Sequence, residues 1–320
     1  DRGPLPRVAW IFSILGITAC GPTVKVPSGP APEPTGVVSH APTKKAAALA
    51  GGSAHQVLLG EMCPAGAGGR PAIAPLVLRN VGWTDNPADL TAPVERGSAP
   101  RWSVLGVDGK LAGAFDTMGV VDVGLPQQVA AGAYAGSSPC SAAAAVSAKP
   151  KGEIAMRTDD AQCKTSTAGC GIAIAELTHP DEPVDSRGYV TGGACITGNV
   201  LAVDIDGDGR VESFPLAGVL DGSRAPSAEW TALPTETAAC KPSFATYGVK
   251  LGADAEPGRQ VDPKQVVMMD VLGVVDLDGD GRRELVLALQ FQTIRTIVVY
   301  AATAQAQRLE LAGEAQSFAR

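Results

Sequence analysis

The chain has 320 residues, 45% of them hydrophobic and 4% aromatic, and a net charge of −7 at pH 7. An acidic chain so poor in rings offers neither a basic footprint nor a stacking platform, which excludes nucleic acid as a partner. Beyond one short N-terminal run it has no apolar stretch of the roughly 20 residues that a membrane-spanning helix needs.

In chain order, Arg2 and Arg7 precede the apolar run from Val8 to Ala19, and Cys20 follows. Twelve residues are too few to cross a bilayer but suit the core of a signal peptide. Ile17-Thr18-Ala19-Cys20 resembles a bacterial lipobox. The resemblance implies cleavage before Cys20, lipidation of Cys20 and, because Gly21 rather than Asp follows, anchoring to the outer membrane. A simple secretory signal or a buried helix is the alternative. Loss of residues 1–19 would remove Asp1, Arg2 and Arg7, so the net charge of −7 would become −8. Prolines at 22, 27, 30, 32, 34 and 42 then favour an extended polyproline II tether. The expected organisation is a signal peptide over 1–19, a lipidated cysteine and tether over 20–51, and a disulfide-containing β domain over 52–320.

Within that domain, Gly-rich AGAGGRP at 65–71 lacks phosphate-loop spacing and reads as a loop. Trp102 to Phe115 reads as a hairpin closed by a two-residue Asp108-Gly109 turn. Further strands are expected at 153–157, 171–177, 199–203, 284–289 and 293–300, where apolar runs are bounded by turn residues. Alanine-rich 127–134 and 141–147 read as short helices, and 225–265 as a long excursion with few strand signals.

One loop occurs twice: DIDGDGRVE from Asp204 to Glu212 and DLDGDGRRE from Asp276 to Glu284. Each gathers four carboxylates, and carboxylates crowded in a partly desolvated loop repel one another unless a cation neutralises them. Calcium fits, because it takes 6–8 hard oxygen ligands in a flexible geometry. Asp204, Asp206 and Asp208, like Asp276, Asp278 and Asp280, can converge at positions 1, 3 and 5. The backbone carbonyls of Arg210 and Arg282 would add position 7, and Glu212 and Glu284 close the loops at position 9. The glycines between the aspartates permit the positive φ of a tight wrap. An EF-hand needs Glu at position 12, where this chain has Pro215 and Leu287. Ordinary metal-free Asp-Gly turns are the alternative.

Strand-like runs flank both loops, and strand, DxDGDGxxE, strand resembles the FG-GAP and VCBS repeats of integrin-like β-propellers. The resemblance covers about residues 196–220 and 268–300. It implies calcium loops joining antiparallel strands, although family loops usually end in Asp where this chain has Glu. Gly119-Val-Val-Asp122 echoes Gly273-Val-Val-Asp276, as a decayed blade or by chance. The expected fold is mainly β, with propeller-like antiparallel sheets, two calcium loops and a few short helices, and an irregular α+β fold as alternative. If the loops lie in separate sheets, Asp278→Ala should leave the site of Asp206 largely intact.

Six cysteines follow Cys20: Cys63, Cys140, Cys163, Cys170, Cys195 and Cys240. In an exported protein an even number is read as disulfides, here Cys163–Cys170 as a local staple with Cys63–Cys140 and Cys195–Cys240 as longer bridges. Zinc is the rival, but no CxxC or histidine cluster accompanies them. His40, His55 and His179 are isolated, and no GxSxG, HExxH or GxxxxGK motif occurs. Paired acids at Asp159-Asp160 and Asp181-Glu182 leave an envelope hydrolase open. The preferred function is a calcium-stabilised binding or structural lipoprotein with an unidentified protein or glycan partner. A calcium-dependent adhesin is the other alternative.

Overall fold

The computed structural model describes residues 56–67, 70–95, 101–106, 109–137, 171–177, 192–219, 225–233, 246–248, 266, 268–291, 295–304 and 307–317. These all belong to one compact unit, Lys44–Arg320. The lipobox-like segment with Cys20, the tether, the three histidines, both acidic pairs and the expected elements at 141–147 and 153–157 lie outside the described residues.

The first half holds β1 (Val57–Ala67), β2 (Arg70–Arg79), β3 (Trp83–Thr84), α1 (Pro87–Glu95), β4 (Arg101–Leu105), β5 (Leu111–Val121), β6 (Val129–Gly136) and β7 (Ile172–Glu176). The second half holds β8 (Ala194–Thr197), β9 (Val200–Val203), β10 (Glu212–Pro215), β11 (Glu229–Thr231), β12 (Thr246–Gly248), β13 (Met268–Val275), β14 (Glu284–Gln290), β15 (Arg295–Ala302) and β16 (Arg308–Gln316). Every pairing among them is antiparallel. The chain is mainly β, as expected.

The strands β1-β7-β4-β5-β6-β2 form a ring that closes through the β1–β2 pairing, with β3 added at the edge of β2. Closure follows from the residues at the joins. The β2–β6 pairing joins Ala72 to Ala131 and Ile73 to Ala130. At Gly132 an added Cβ would lie 2.0 Å from the Asp116 carbonyl of β5. Only small side chains let neighbouring backbones curve so tightly. Alternate residues point inward, so Leu58, Met62, Ile73, Trp102, Val104, Phe115 and Ala173 share one core, which α1 caps with Leu90 and Val94. The buried Trp102 indole donates to Thr117 Oγ1 at 3.0 Å.

The six-stranded sheet β11-β16-β15-β14-β13-β12 shares one core with the barrel and another with the small sheet β10-β9-β8. Its central strands bury both faces, and successive residues of β14 feed different cores. Leu285, Leu287 and Leu289 pack with Leu201, Phe214 and Trp230. Val286 and Ala288 pack with the barrel's Leu59, Val77, Ile172 and Ile174. A strand covered on both sides reads as an unbroken apolar run, which is why LVLAL does not alternate. Each fully buried Leu or Val contributes roughly 1.5–3 kcal/mol, so this middle layer holds the unit together.

Three expectations change. Among the described residues the sheets have seven, six and three strands and do not show the repeated four-stranded blades of a propeller, and Gly119–Val121 lies in the barrel strand β5. Residues 127–134, expected as a helix, contribute to β6, because closing the ring needs small residues that helix propensity also favours. The β4–β5 turn is longer than two residues: Gly106 N–H donates to Lys110 O and Gly109 N–H to Gly106 O, both at 2.8 Å. Gly109, at φ 74°, fits the left-handed position of a three-residue hairpin loop. The expected strands at 171–177, 199–203, 284–289 and 293–300 appear as β7, β9, β14 and β15. AGAGGRP at 65–71 ends β1 and opens β2. The helix α1 was not anticipated, although Asn86 caps it through the Ala88 N–H at 3.1 Å and Pro87 occupies its first position.

Candidate metal centres

Both acidic loops join adjacent strands of a hairpin. Val203 of β9 is the register partner of Glu212 in β10, and Val275 of β13 is the partner of Glu284 in β14. Position 9 of each loop thus stands beside the residue before position 1, and the two ends of the acidic set meet. Position 12, Pro215 or Leu287, lies in a strand, so neither loop is an EF-hand.

Within the loops the same hydrogen bonds recur. Asp204 accepts from Gly207 N–H at 2.7 Å and Gly209 N–H at 3.2 Å. Asp276 accepts from Gly279 and Gly281 at 2.7 and 3.0 Å. Asp206 and Asp278 each accept from the N–H two residues on, at 3.2 Å. Glu212 and Glu284 reach back to the N–H groups of Ile205 and Leu277 at 2.8 and 2.7 Å. Gly207, Gly209, Gly279 and Gly281 have φ of 74°, 86°, 72° and 87°, values that glycine takes without the Cβ penalty. Two independent stretches therefore fold to one local design, because the spacing of Asp and Gly dictates it.

One carboxylate oxygen each from Asp204, Asp206 and Glu212 lie within 4.8 Å of one another, and so do those of Asp276, Asp278 and Glu284. Three converging hard oxygens can hold a cation. Asp208 and Asp280 are not in these groups; they accept from the Arg210 and Arg282 N–H groups at 2.7 Å. The environments of the two groups differ: Asp276, Asp278 and Glu284 are buried, whereas Asp204, Asp206 and Glu212 are half-buried.

Counter-charges come from three places. Arg282 Nη1 pairs with Asp280 Oδ2 at 3.0 Å. Arg283 of the second loop pairs with Asp204 Oδ2 of the first at 3.2 Å and donates to the Asp204 carbonyl at 2.9 Å. Arg79, at the end of the barrel strand β2, pairs with buried Asp278 at 3.1 Å and lies 5.5 Å from the Trp83 ring centroid. Arg79 had no signal in the sequence, being 199 positions from its partner.

Burial pushes the Glu284 carboxyl well above the usual range, with the Asp278 charge adding to the effect. Desolvation likewise raises Asp276 and Glu212. A carboxyl whose folded pKa is raised contributes stability that is full below its unfolded value, about 4.3 for Glu, and lost as pH rises through the folded value. The metal-free protein is therefore expected to gain stability as pH falls from neutral toward about 5. A cation taken up at a pH where these carboxyls still hold protons would release them. Melts in chelator at several pH values check this: Glu284→Gln should flatten the slope, and an identical slope in wild type and variant would remove Glu284 as its source.

Of the cysteines, Cys63 and Cys195 fall among the described residues; both are buried and each is one half of a disulfide. Cys140, Cys163, Cys170 and Cys240 lie outside the described residues. No family model, curated protein or solved structure matches the chain.

Proposed function

We propose that this protein is a calcium-binding, envelope-anchored lipoprotein in which two calcium ions stabilise a mainly β domain that binds a protein or glycan partner. The observation that carries this reading is the pair of acidic triads, each converging within 4.8 Å at the mouth of a hairpin. Calcium is favoured over softer metals because the converging groups are carboxylates, with no histidine or thiolate among them. The carbonyls of Arg210 and Arg282 and the carboxylates of Asp208 and Asp280 would complete the two coordination shells. The FG-GAP and VCBS likeness is taken for the loops alone, since the strands around them are not arranged as blades. Lipidation at Cys20 and an outer-membrane location rest on the lipobox-like Ile17–Cys20 segment. Among the described residues no helix is long and apolar enough to cross a membrane. The bridges Cys63–Cys140, Cys195–Cys240 and Cys163–Cys170 remain part of the proposal.

A structural role is quantitatively sufficient. A site with Kd about 10⁻⁴ M at about 10⁻³ M calcium gains RT ln(1 + 10), about 1.4 kcal/mol. Two such sites should raise the melting midpoint by roughly 5–10 °C for a domain of this size. Melts with calcium and with chelator test the reading, and an unchanged midpoint would sink it. Calcium-dependent adhesion is the second reading, favoured by the exposure of Gly207, Asp208, Gly209 and Arg210, which leaves the first loop open to a ligand oxygen. In that case chelation should abolish partner binding while the fold persists. The hydrolase alternative rests on Asp159-Asp160 and Asp181-Glu182, outside the described residues.

A further inference from the structure

We propose that Arg283 couples the two loops, so that a divalent cation held by the second loop pre-organises the first and the pair binds cooperatively. The inference rests on the calcium reading and extends it from two sites to regulation between them. The loops belong to different sheets, β9–β10 in the small sheet and β13–β14 in the six-stranded one, which by itself predicts independence. Arg283 removes that independence. It immediately precedes Glu284, the position-9 carboxylate of the second loop, yet its polar contacts reach the first. Its N–H donates to Ile205 O at 2.7 Å, and Nη1 holds both the carbonyl and the Oδ2 of Asp204. The Gly207 backbone sits close enough that an added Cβ would lie 3.3 Å from Arg283 Nη2.

A continuous path results. Glu212 accepts from Ile205 N–H, Ile205 O accepts from Arg283 N–H, Arg283 is bonded to Glu284, and Glu284 accepts from Leu277 N–H. Each end of the path is a carboxylate of a different triad. A cation that fixes Glu284 fixes the Arg283 backbone, and the arginine then holds Asp204 and Ile205 where the first site needs them. The order of filling follows from burial: the second loop's carboxylates are buried and the first loop's only half-buried, so cation attraction is less screened in the second. Charge alone predicts the opposite sign, because a cation in one loop weakens the negative field at the other. The sign of the coupling therefore separates pre-organisation from simple electrostatics, and coupling is reciprocal between sites.

The test is a site-resolved calcium titration of the full chain, following the amide signals of Gly207 and Gly209 for the first loop and of Gly279 and Gly281 for the second. Asp278→Asn, which disables the second loop, should weaken calcium binding at the first by at least about fivefold. In an Arg283→Ala background, which removes the side-chain hold on Asp204 and keeps the main-chain bond to Ile205, the same change should cost the first loop clearly less affinity than it does with Arg283 present. Arg283→Lys is the companion variant should alanine fail to fold, since lysine keeps the charge but lacks the planar fork that spans carbonyl and carboxylate. Unchanged or tighter first-loop binding in Asp278→Asn, or a loss that survives undiminished in both Arg283 variants, overturns the coupling while leaving two calcium sites. Absence of calcium uptake in the wild type overturns the calcium reading and the coupling together.

Discussion

Arg79→Ala is expected to cost about 3–5 kcal/mol of unfolding free energy in chelator, because it strands the buried Asp278 carboxylate without its cation. Both side chains of the pair are nearly excluded from water, at 9% and 7% exposure, so solvent cannot make up the loss. Arg79 also stands over Trp83, and that contact goes with it. The cost should depend on metal. With calcium saturating the second loop, the ion supplies positive charge beside Asp278, so the variant should regain more stability on calcium addition than the wild type does. Urea titrations of both proteins with and without calcium measure this. An equal loss in the two conditions would show that Arg79 acts on the barrel–sheet contact alone and has no bearing on the acidic triad.

A comparable loss, again about 3–5 kcal/mol, is expected for Arg295→Ala on the other side of the same layer contact. Arg295, at the start of β15, is ion-paired with Glu61 of β1 and donates to Ser317 Oγ at 2.6 Å. Glu61, Arg295 and Ser317 are 2%, 3% and 2% exposed. Removing the arginine leaves a carboxylate inside the protein with no cation. Ser317 N–H also donates to Arg295 O at 3.0 Å, so the pair anchors the chain after β16 as well. Breaking a buried pair differs from replacing it. Glu61→Leu with Arg295→Met should recover most of the stability, because two apolar side chains avoid the desolvation that the ions suffer. Chemical denaturation of the three proteins decides it. A double variant no more stable than Arg295→Ala would mean that geometry, not charge, sets the cost.

Much of the second half of the fold was legible because its determinants are local. The apolar run of β14, bounded by the acidic loop, announces a strand buried on both faces, and β15 follows in the same way. Each acidic-loop geometry is written within nine residues, where aspartates turn back onto glycine N–H groups that only a positive φ can present. The barrel was harder to read. Residues 127–134 carry alanines that suit a helix by propensity, and only the approach of β5 to Gly132 and of β2 to Ala130 and Ala131 explains why they form a strand. The closed ring, joining β1 to β2 and also to β7 more than a hundred positions later, has no counterpart in any short window. The cap of α1 is written in Asn86-Pro87, a helix-start signal carried by two neighbouring residues.

By itself the sequence determined the chemistry of the two acidic loops, since ligand spacing, tight turns and strand flanks act over a handful of neighbouring residues. It also determined that the loops are not EF-hands and that the domain is mainly β. Tertiary structure decided what the loops do to each other and to the rest of the molecule. It buried the second triad and left the first half-open, brought Arg79 from the barrel to Asp278, and carried Arg283 across to Asp204. Desolvation and long-range ion pairing depend on which surfaces pack together. Identical nine-residue patterns can therefore share a geometry and still differ in environment, partners and expected order of filling.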